Sequence, residues 1–370
     1  MTQSDGEMTA GNGQAQGRQA PASAAAAGVA ATLTPAEVEA QAQAFQQWFA
    51  RVRQEMGRVI VGQQEIVDGV LTCLFSGGHV LLEGVPGLGK TLLVRTLAQV
   101  MDLSFSRVQF TPDLMPADIS GTTILVEDDH GRRAFQFQPG PIFAHIVLAD
   151  EINRATPKTQ SAMLEAMQEH SVTVGGTMHR LEEPFFVLAT QNPIEMEGTY
   201  PLPEAQLDRF QFKLQVGSPT LADLAAIVDR TTGASVAEVS KVMGASEVLA
   251  MRAFARALPI APHVRDHAAA LVLATHPEAQ NAPDIAKQFV RFGASPRGAQ
   301  ALVRAAKVRA ALSGRANVAI DDINAVAVPA LRHRILLNFE GQAEGIQTSD
   351  VVQRIIAHVS DWQRTGTLSA

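Results

Sequence analysis

Residues 84–91 could bind a chain of phosphates. They read Gly-Val-Pro-Gly-Leu-Gly-Lys-Thr, which fits the pattern G-x-x-x-x-G-K-[ST] at each fixed position. Glycines let consecutive backbone N–H groups point at phosphate oxygens. Lys90 can reach the β- and γ-phosphates, and Thr91 can offer its hydroxyl to Mg²⁺. A helix beginning near Lys90 would add the positive end of its dipole, so this segment predicts a loop that binds ATP.

Two acids follow a second apolar run farther along the chain. Residues 146–149 read Ile-Val-Leu-Ala, and Asp150 and Glu151 come next. Asp150 at the carboxyl end of a strand would hold Mg²⁺ together with Thr91, and Glu151 would orient and polarise the attacking water. An acid pair placed after a phosphate loop indicates hydrolysis of the nucleotide rather than binding alone.

Three further side chains could assist hydrolysis. Asn192 follows a third apolar run, where its amide could hydrogen-bond the γ-phosphate or the water. Arg209 in Asp-Arg-Phe and Arg297 in Ser-Pro-Arg each carry a guanidinium that could stabilise the charge developing in phosphoryl transfer. Their spacing leaves open whether either one reaches its own nucleotide or a neighbour's, and a surface or ion-pair role remains an alternative for each.

Short apolar runs alternating with helical periods predict the elements that position these residues. Residues 80–82, 146–149 and 185–189 are apolar throughout, which is typical of strands buried on both faces of a parallel sheet. A helix is expected over 92–101, directly after the phosphate loop. We therefore predict an α/β domain over residues 59–216 with helices flanking the sheet.

The segments on either side of this domain differ in composition. Residues 1–32 hold almost no large apolar side chain and are predicted to be a disordered tail. A helix over 33–58 is expected to begin near Thr34. After Gly-Ser-Pro at 217–219 the strands should stop, and helical spacing through 217–370 predicts a smaller all-helical lid domain. The apolar face of the first helix would carry Phe45, Trp48, Phe49 and Val52.

Two segments interrupt the α/β pattern. Residues 119–137 hold alternating aromatic side chains and glycines and are interpreted as an inserted hairpin or loop. Residues 172–181 alternate around Gly175 and Gly176, which favours a hairpin turn.

Charge and cysteine content exclude several classes of protein. The net charge is −7, so the chain as a whole is not attracted to a phosphate backbone. The single cysteine, Cys73, cannot form an intrachain disulfide and is too isolated for a metal site. No apolar run reaches the roughly 20 residues that cross a bilayer, and we expect a cytoplasmic protein.

Together these motifs resemble the AAA+ ATPases and, within them, the MoxR family. The resemblance runs from about Val59 to about Leu336. It rests on the phosphate loop and on four further runs. These are Ile-Val-Gly-Gln at 60–63, Asp-Glu-Ile-Asn-Arg-Ala at 150–155, the run from Phe186 to Pro193 continued by Glu197 to Phe210, and Gly-Ala-Ser-Pro-Arg at 293–297.

The resemblance implies a role for each candidate residue. Asn192 would be sensor 1, Arg209 the arginine finger acting on the next subunit's ATP, and Arg297 sensor 2, acting in cis or in trans. Inserts at 113–140 and 171–182 would face a pore or a partner. A finger supplied in trans needs a head-to-tail interface, a head-to-tail interface that closes makes a ring, and the resemblance implies a hexamer. The residues expected to contact the nucleotide are Val61, Gly62, Gly84, Val85, Pro86, Gly87, Leu88, Gly89, Lys90, Thr91 and Leu92.

The resemblance also implies a chaperone-like function. Such ATPases use ATP to remodel, assemble or activate a client protein complex, including metal or cofactor insertion, often with a partner that carries a von Willebrand factor A domain. Two alternatives remain: a nucleic-acid motor, and an ATP-dependent switch without remodelling activity. The acidic chain and the lack of a helix-turn-helix, a zinc ribbon or interleaved aromatic and basic residues argue against the motor.

Overall fold

The computed structural model describes residues 34–127, 131–193, 198–233 and 237–365. The tail predicted over 1–32 lies outside the described residues, as does Glu197 of the resemblance. The strands are β1 (Val80–Glu83), β2 (Phe105–Gln109), β3 (Gly121–Glu127), β4 (Arg133–Pro139), β5 (Ile146–Asp150), β6 (Ser171–Val174), β7 (Thr177–Arg180), β8 (Phe186–Gln191), β9 (Phe212–Gln215), β10 (Val290–Phe292) and β11 (Leu336–Leu337). The α-helices are α1 (Pro35–Val59), α2 (Gln64–Ser76), α3 (Lys90–Val100), α4 (Pro116–Ser120), α5 (Pro157–Glu169), α6 (Glu204–Leu207), α7 (Leu221–Thr232), α8 (Ala245–Ala257), α9 (Pro262–Leu273), α10 (Asp284–Phe289), α11 (Pro296–Leu312), α12 (Ile320–Leu331), α13 (Phe339–Ala343) and α14 (Thr348–Thr365).

The first helix begins where the sequence predicts. Thr34 is its N-cap, because the Thr34 hydroxyl accepts from the Glu37 N–H and the Glu37 carboxylate accepts from the Thr34 N–H. Phe45, Phe49 and Val52 are buried against α2, α3 and the lid. Burial of this apolar face makes α1 part of the folded core.

A five-stranded parallel sheet with the order β2-β5-β8-β1-β9 forms the centre of the α/β domain. Side chains alternate across it, so that Val80 and Leu82 pack on the face covered by α1, α2 and α3, while Leu81 packs on the face covered by α5. Both faces are apolar, as expected for a covered parallel sheet. β5 and β8 run past their apolar residues to Asp150 and Gln191, which brings polar side chains to the sheet edge.

Both inserts form antiparallel hairpins. β3 pairs with β4, and β6 pairs with β7 across Gly175 and Gly176. Phe137 of the first hairpin stacks on His179 of the second, with ring centroids 3.8 Å apart. The two hairpins therefore form one contiguous surface.

The lid is helical, with one addition that the sequence did not indicate. β10 pairs with β11 in a two-stranded antiparallel sheet, so the expectation that strands end at 217–219 is wrong for this pair. The Asn338 N–H donates to the Phe289 carbonyl at 2.9 Å and extends the pairing. Ser295 caps α11 by accepting from the Arg297 N–H at 3.1 Å.

Each helix in the described part of the chain is too short or too polar to cross a membrane.

Candidate active site

Three neighbouring strands bring the phosphate loop, the acid pair and Asn192 to one edge of the sheet. The loop follows β1, Asp150 ends β5, and the buried Asn192 follows β8. β8 lies between β1 and β5, and parallel strands share the edge at which they end. The Gly84 N–H donates to the Gln191 carbonyl at 3.2 Å, which joins the start of the loop to the end of β8.

The phosphate loop has the geometry of an anion cradle. Gly87 and Gly89 adopt left-handed backbone angles, with φ values of 82° and 76°, which glycine adopts without strain. A Cβ atom built on either glycine would meet no atom within 4 Å, so the loop faces open space. Lys90 begins α3, and its Nζ donates to the carbonyls of Gly84 and Val85 at the base of the loop. The loop therefore offers room and positive charge for a polyphosphate.

Thr91 and Asp150 supply oxygen atoms of the kind that Mg²⁺ binds. Thr91 Oγ1 lies 3.5 Å from Asp150 Oδ2, and Thr190 Oγ1 donates to Asp150 Oδ1 at 2.6 Å. The second bond fixes the orientation of the carboxylate. Hydroxyl and carboxylate oxygens beside a phosphate loop match the hard, oxygen-seeking character of Mg²⁺, so these residues fit the metal.

Glu151 is held in an unusual backbone conformation. Its φ is 56°, a left-handed value that is uncommon for a residue with a side chain. Its N–H donates to Thr190 Oγ1 at 2.8 Å. Its carboxylate accepts from Gln109 Nε2 at 2.8 Å and from Arg154 Nη1 at 3.1 Å. The surrounding contacts thus aim the carboxylate along the sheet edge next to Asp150.

Two polar residues on β2, Arg107 and Gln109, reach the acid pair although no local sequence pattern marks them. The Arg107 guanidinium donates to Asp150 Oδ2 through Nη2 at 2.7 Å and through Nε at 3.0 Å. It also bonds Gln109, which bonds Glu151. Arg107 and Gln109 are two apart and so share one face of the strand, but only the β2–β5 pairing places them on the acids. Arg154, three residues after Glu151, adds a further positive charge to this cluster.

Partial burial lowers the pKa of the Lys90 ammonium, and the charges of Asp150 and Glu151 oppose this effect. The negative charges of the acid pair therefore act on the phosphate-loop lysine.

Arg209 and Arg297 lie at the opposite edge of the sheet, where the amino ends of the parallel strands are found. They line a cleft of about 340 Å³ together with Gly78, His79 and Gln211, which directly precede β1 and β9. β1 is four residues long, which at about 3.3 Å per residue corresponds to about 13 Å between the two edges. The structure therefore does not bring these arginines to the phosphate loop of the same chain.

The contacts of the two arginines agree with this separation. Arg209 Nη1 donates to the Leu164 carbonyl of α5 at 2.7 Å. Arg297 Nη2 donates to Gln168 Oε1 at 3.3 Å, and its Nη1 lies 3.8 Å from Asp208 Oδ2. Both side chains thus point onto α5 and the Asp208 loop.

The segment ahead of the loop packs beside it. Gln63 Nε2 donates to the Leu88 carbonyl at 3.1 Å, and Gly62 has a left-handed φ of 63°. Asp223 of α7 approaches Gly62 so closely that a Cβ there would clash with its carboxylate. Val61 precedes this contact, and Leu92 on α3 is 45% exposed. These residues border the loop where a nucleotide base could lie.

Comparisons with known proteins agree with this architecture. Residues 79–212 match the ATPase family associated with various cellular activities (AAA), and residues 283–355 match the AAA lid domain. A crystal structure from Cytophaga hutchinsonii superimposes with a TM-score of 0.80 at 41% identity, covering 86% of this chain and 96% of that one.

Relatives that match over most of their own length identify the family within the AAA+ ATPases. The chain is 43% identical over 306 residues to Chaperone MoxR1 of Mycobacterium tuberculosis, covering 83% of this chain and 80% of that protein. It is 42% identical to YeaC of Bacillus subtilis, over 83% and 92% of the two chains. It is 33% identical to Protein MoxR of Methylorubrum extorquens, over 78% and 87%. A phosphate loop, an acid pair and a helical lid on one chain, together with these relatives, show that the protein is an ATPase and belongs to the MoxR family of AAA+ ATPases.

Proposed function

We propose that this ATPase hydrolyses Mg²⁺–ATP to remodel or activate a client protein complex. Lys90 and the loop amides bind the phosphates, while Thr91 and Asp150 hold Mg²⁺, which neutralises charge on the phosphates when it is bound. Glu151 orients the attacking water, and Asn192 hydrogen-bonds the γ-phosphate or that water. The convergence of these side chains at one sheet edge supports the assignment.

The two arginines serve the nucleotide of a neighbouring subunit. They lie about one strand length from their own phosphate loop, and they line an open cleft at the opposite edge. A subunit that offers a loop at one edge and guanidinium groups at the other associates head to tail, and head-to-tail contacts form a ring when the rotation between subunits closes. We propose a hexamer, with both Arg209 and Arg297 acting in trans.

The joined hairpins provide the contact surface for a client. Leu125 and Phe135 are direct cross-strand partners and are 54% and 80% exposed, and Met178 of the second hairpin is 65% exposed. Exposed large apolar side chains grouped on one surface mark protein contacts. We propose that this surface meets the client, or a partner carrying a von Willebrand factor A domain, in the cytoplasm, where ATP is available. Metal or cofactor insertion is one form that this activation could take.

Substitution of Glu151 separates binding from hydrolysis. In Glu151→Gln the side chain keeps its shape but loses its basicity, so we expect ATP turnover to fall by about 100-fold or more. Binding of a fluorescent ATP analogue should stay within about twofold, because Lys90 and the loop are intact. The matched control is Glu39→Gln, an exposed position on α1, which should leave both quantities unchanged. Turnover by Glu151→Gln at the wild-type rate would remove this carboxylate from the mechanism.

The same variant tests the remodelling proposal. Held in ATP, Glu151→Gln should retain a defined set of proteins that ADP releases and that Lys90→Ala does not retain. Adding Phe135→Ser should abolish retention while ATP binding persists, since Phe135 is 80% exposed and is not among the residues assigned to the nucleotide. If the same proteins are retained in ATP and in ADP, or if they are still retained by the Phe135→Ser variant, the hairpins are not the client surface.

A further inference from the structure

A buried arginine in the lid, Arg334, hydrogen-bonds the loop that carries the candidate arginine finger. The side chain of Arg334 is 3% exposed, and the whole guanidinium is engaged. Its Nε donates to Asp208 Oδ1 at 2.8 Å. Its Nη2 donates to the carbonyls of Asp208 at 3.0 Å and Phe210 at 2.7 Å. Its Nη1 donates to the carbonyls of Gln211, at 3.1 Å, and Ala330.

These bonds enclose Arg209 from both sides. Asp208 precedes and Phe210 follows Arg209 in the chain, and the backbone carbonyl of each accepts a hydrogen bond from Arg334. A rigid planar fork bonded to successive carbonyls fixes the local backbone, and so fixes the position from which the Arg209 side chain projects. Arg334 also stands on the lid segment after α12, so it connects the lid to this loop.

Asp208 extends the same network to the second arginine. Its Oδ1 accepts from Arg334, while its Oδ2 accepts from Ser295 Oγ at 2.8 Å and faces Arg297 Nη1 at 3.8 Å. Ser295 is the N-cap of α11 and Arg297 lies in its first turn. One carboxylate therefore ties Arg334, the start of α11 and Arg297 into a single cluster.

We propose that Arg334 and Asp208 are positioning residues that hold Arg209 and Arg297 as one rigid unit for the neighbouring subunit's nucleotide. This inference rests on the proposed function of the two arginines in trans. Long arginine side chains lose conformational freedom when they meet a phosphate, and a preformed arrangement reduces that cost. Misplacement of such groups by about 1 Å can cost about 100-fold in rate. Because Arg334 belongs to the lid, movement of the lid would move both guanidinium groups together.

A shared site has a phosphate-loop half from one subunit and an arginine half from the next, and Arg334→Lys should damage only the arginine half. Lysine keeps the charge but loses the planar fork. The variant should bind a fluorescent ATP analogue within about twofold of wild type, because its own phosphate loop is intact, while kcat falls by about 10- to 100-fold. The matched control is Arg252→Lys. Arg252 is another lid arginine, with a side chain 13% exposed, that contacts the core through Leu74 and Glu183 but has no contact with Asp208 among the described residues. It should stay within about twofold of wild-type kcat.

Mixed assemblies then assign Arg334 to a half-site. Lys90→Ala subunits lack a working phosphate loop but carry intact arginines, so mixing them with Arg334→Lys should restore turnover. Mixing Arg334→Lys with Arg209→Ala should restore none, since both damage the same half. Asp208→Asn should behave like Arg334→Lys in each mixture. If Arg334→Lys does not bind nucleotide, Asp208→Asn decides the result by the same criteria.

The reference mixture of Arg209→Ala with Lys90→Ala tests the shared site separately from the role of Arg334. If this mixture regains no turnover, the shared site is refuted and the inference falls with it. If it regains turnover but Arg334→Lys does not do so with Lys90→Ala, only the inference is overturned. Recovery of Arg334→Lys by Arg209→Ala, unchanged kcat in Arg334→Lys, or an equal loss in Arg252→Lys would also overturn it.

Discussion

His79, the residue immediately before β1, is a buried histidine whose hydrogen bonds hold it neutral. Its Nδ1 accepts from the Val187 N–H at 3.0 Å, and its Nε2 donates to the Met167 carbonyl at 3.0 Å. An accepting Nδ1 carries no proton, so protonation would break the bond to β8. Burial lowers the pKa of His79 from 6.5 to about 4, although the Met167 carbonyl opposes the shift.

This pKa shift predicts a pH dependence of stability. Between about pH 6.5 and pH 4 the unfolded chain takes up a proton at His79 that the native protein does not. The contribution of His79 is therefore complete above pH 6.5 and falls as the pH decreases toward 4, by at most about 1.4 kcal/mol per pH unit. Urea unfolding at several pH values between 7.5 and 4.5 should show a shallower decline for His79→Gln than for wild type.

Two comparisons complete this experiment. Burial also places the pKa of His333 well below its ordinary value, so a decline of the same direction should persist in His79→Gln. His263→Gln, at an exposed position on α9, should keep the full wild-type slope. Parallel curves for wild type and His79→Gln would show that the His79 ring is not held neutral in the native state.

At the scale of elements, α1 joins the α/β domain to the lid. The Phe45 ring lies 5.2 Å from Phe75 of α2 and 6.3 Å from Phe254 of α8, measured between centroids. Phe45 is fully buried. Three elements from different parts of the chain therefore meet at one side chain.

Removing this ring should destabilise the whole protein rather than α1 alone. For Phe45→Ala we expect a loss of about 3–5 kcal/mol in the free energy of unfolding, because removing a buried aromatic ring leaves a cavity. The measurement is chemical denaturation followed by circular dichroism. Gln47→Ala, exposed on the same helix, should change stability by less than about 0.5 kcal/mol. An equally small effect of Phe45→Ala would mean that α1 is not part of the cooperative unit.

The elements that the sequence predicted correctly are those with strong local signals. Thr34 followed by Pro35 marks a helix start, and the apolar runs at 80–82 and 146–149 mark buried strands. β10 and β11 were missed because strands of two and three residues show no periodicity and form only when distant backbone segments meet. Arg107 and Gln109 were missed for a related reason: their role depends on β2 lying beside β5, which no local pattern encodes.

Across the protein as a whole, residues at one edge of the sheet carry local sequence signals, whereas those at the opposite edge are placed only by the fold. The phosphate loop and the acid pair have sequence patterns that imply their location, because each follows a recognisable strand. The positions of Arg209 and Arg297 follow from the folded topology, which puts both at the amino ends of β1 and β9. Arg334 carried no signal at all, since its importance lies in backbone carbonyls that gather around it only after the lid has docked.

The placement of Arg209 and Arg297 across the sheet from Lys90 has a consequence for how hydrolysis is controlled. In the proposed trans arrangement, a lone subunit would be an incomplete enzyme that holds ATP but lacks the guanidinium groups that speed its cleavage. Specific activity should then rise with protein concentration and vanish on dilution. In the proposed ring, assembly would itself act as the switch and limit ATP hydrolysis until the subunits have come together.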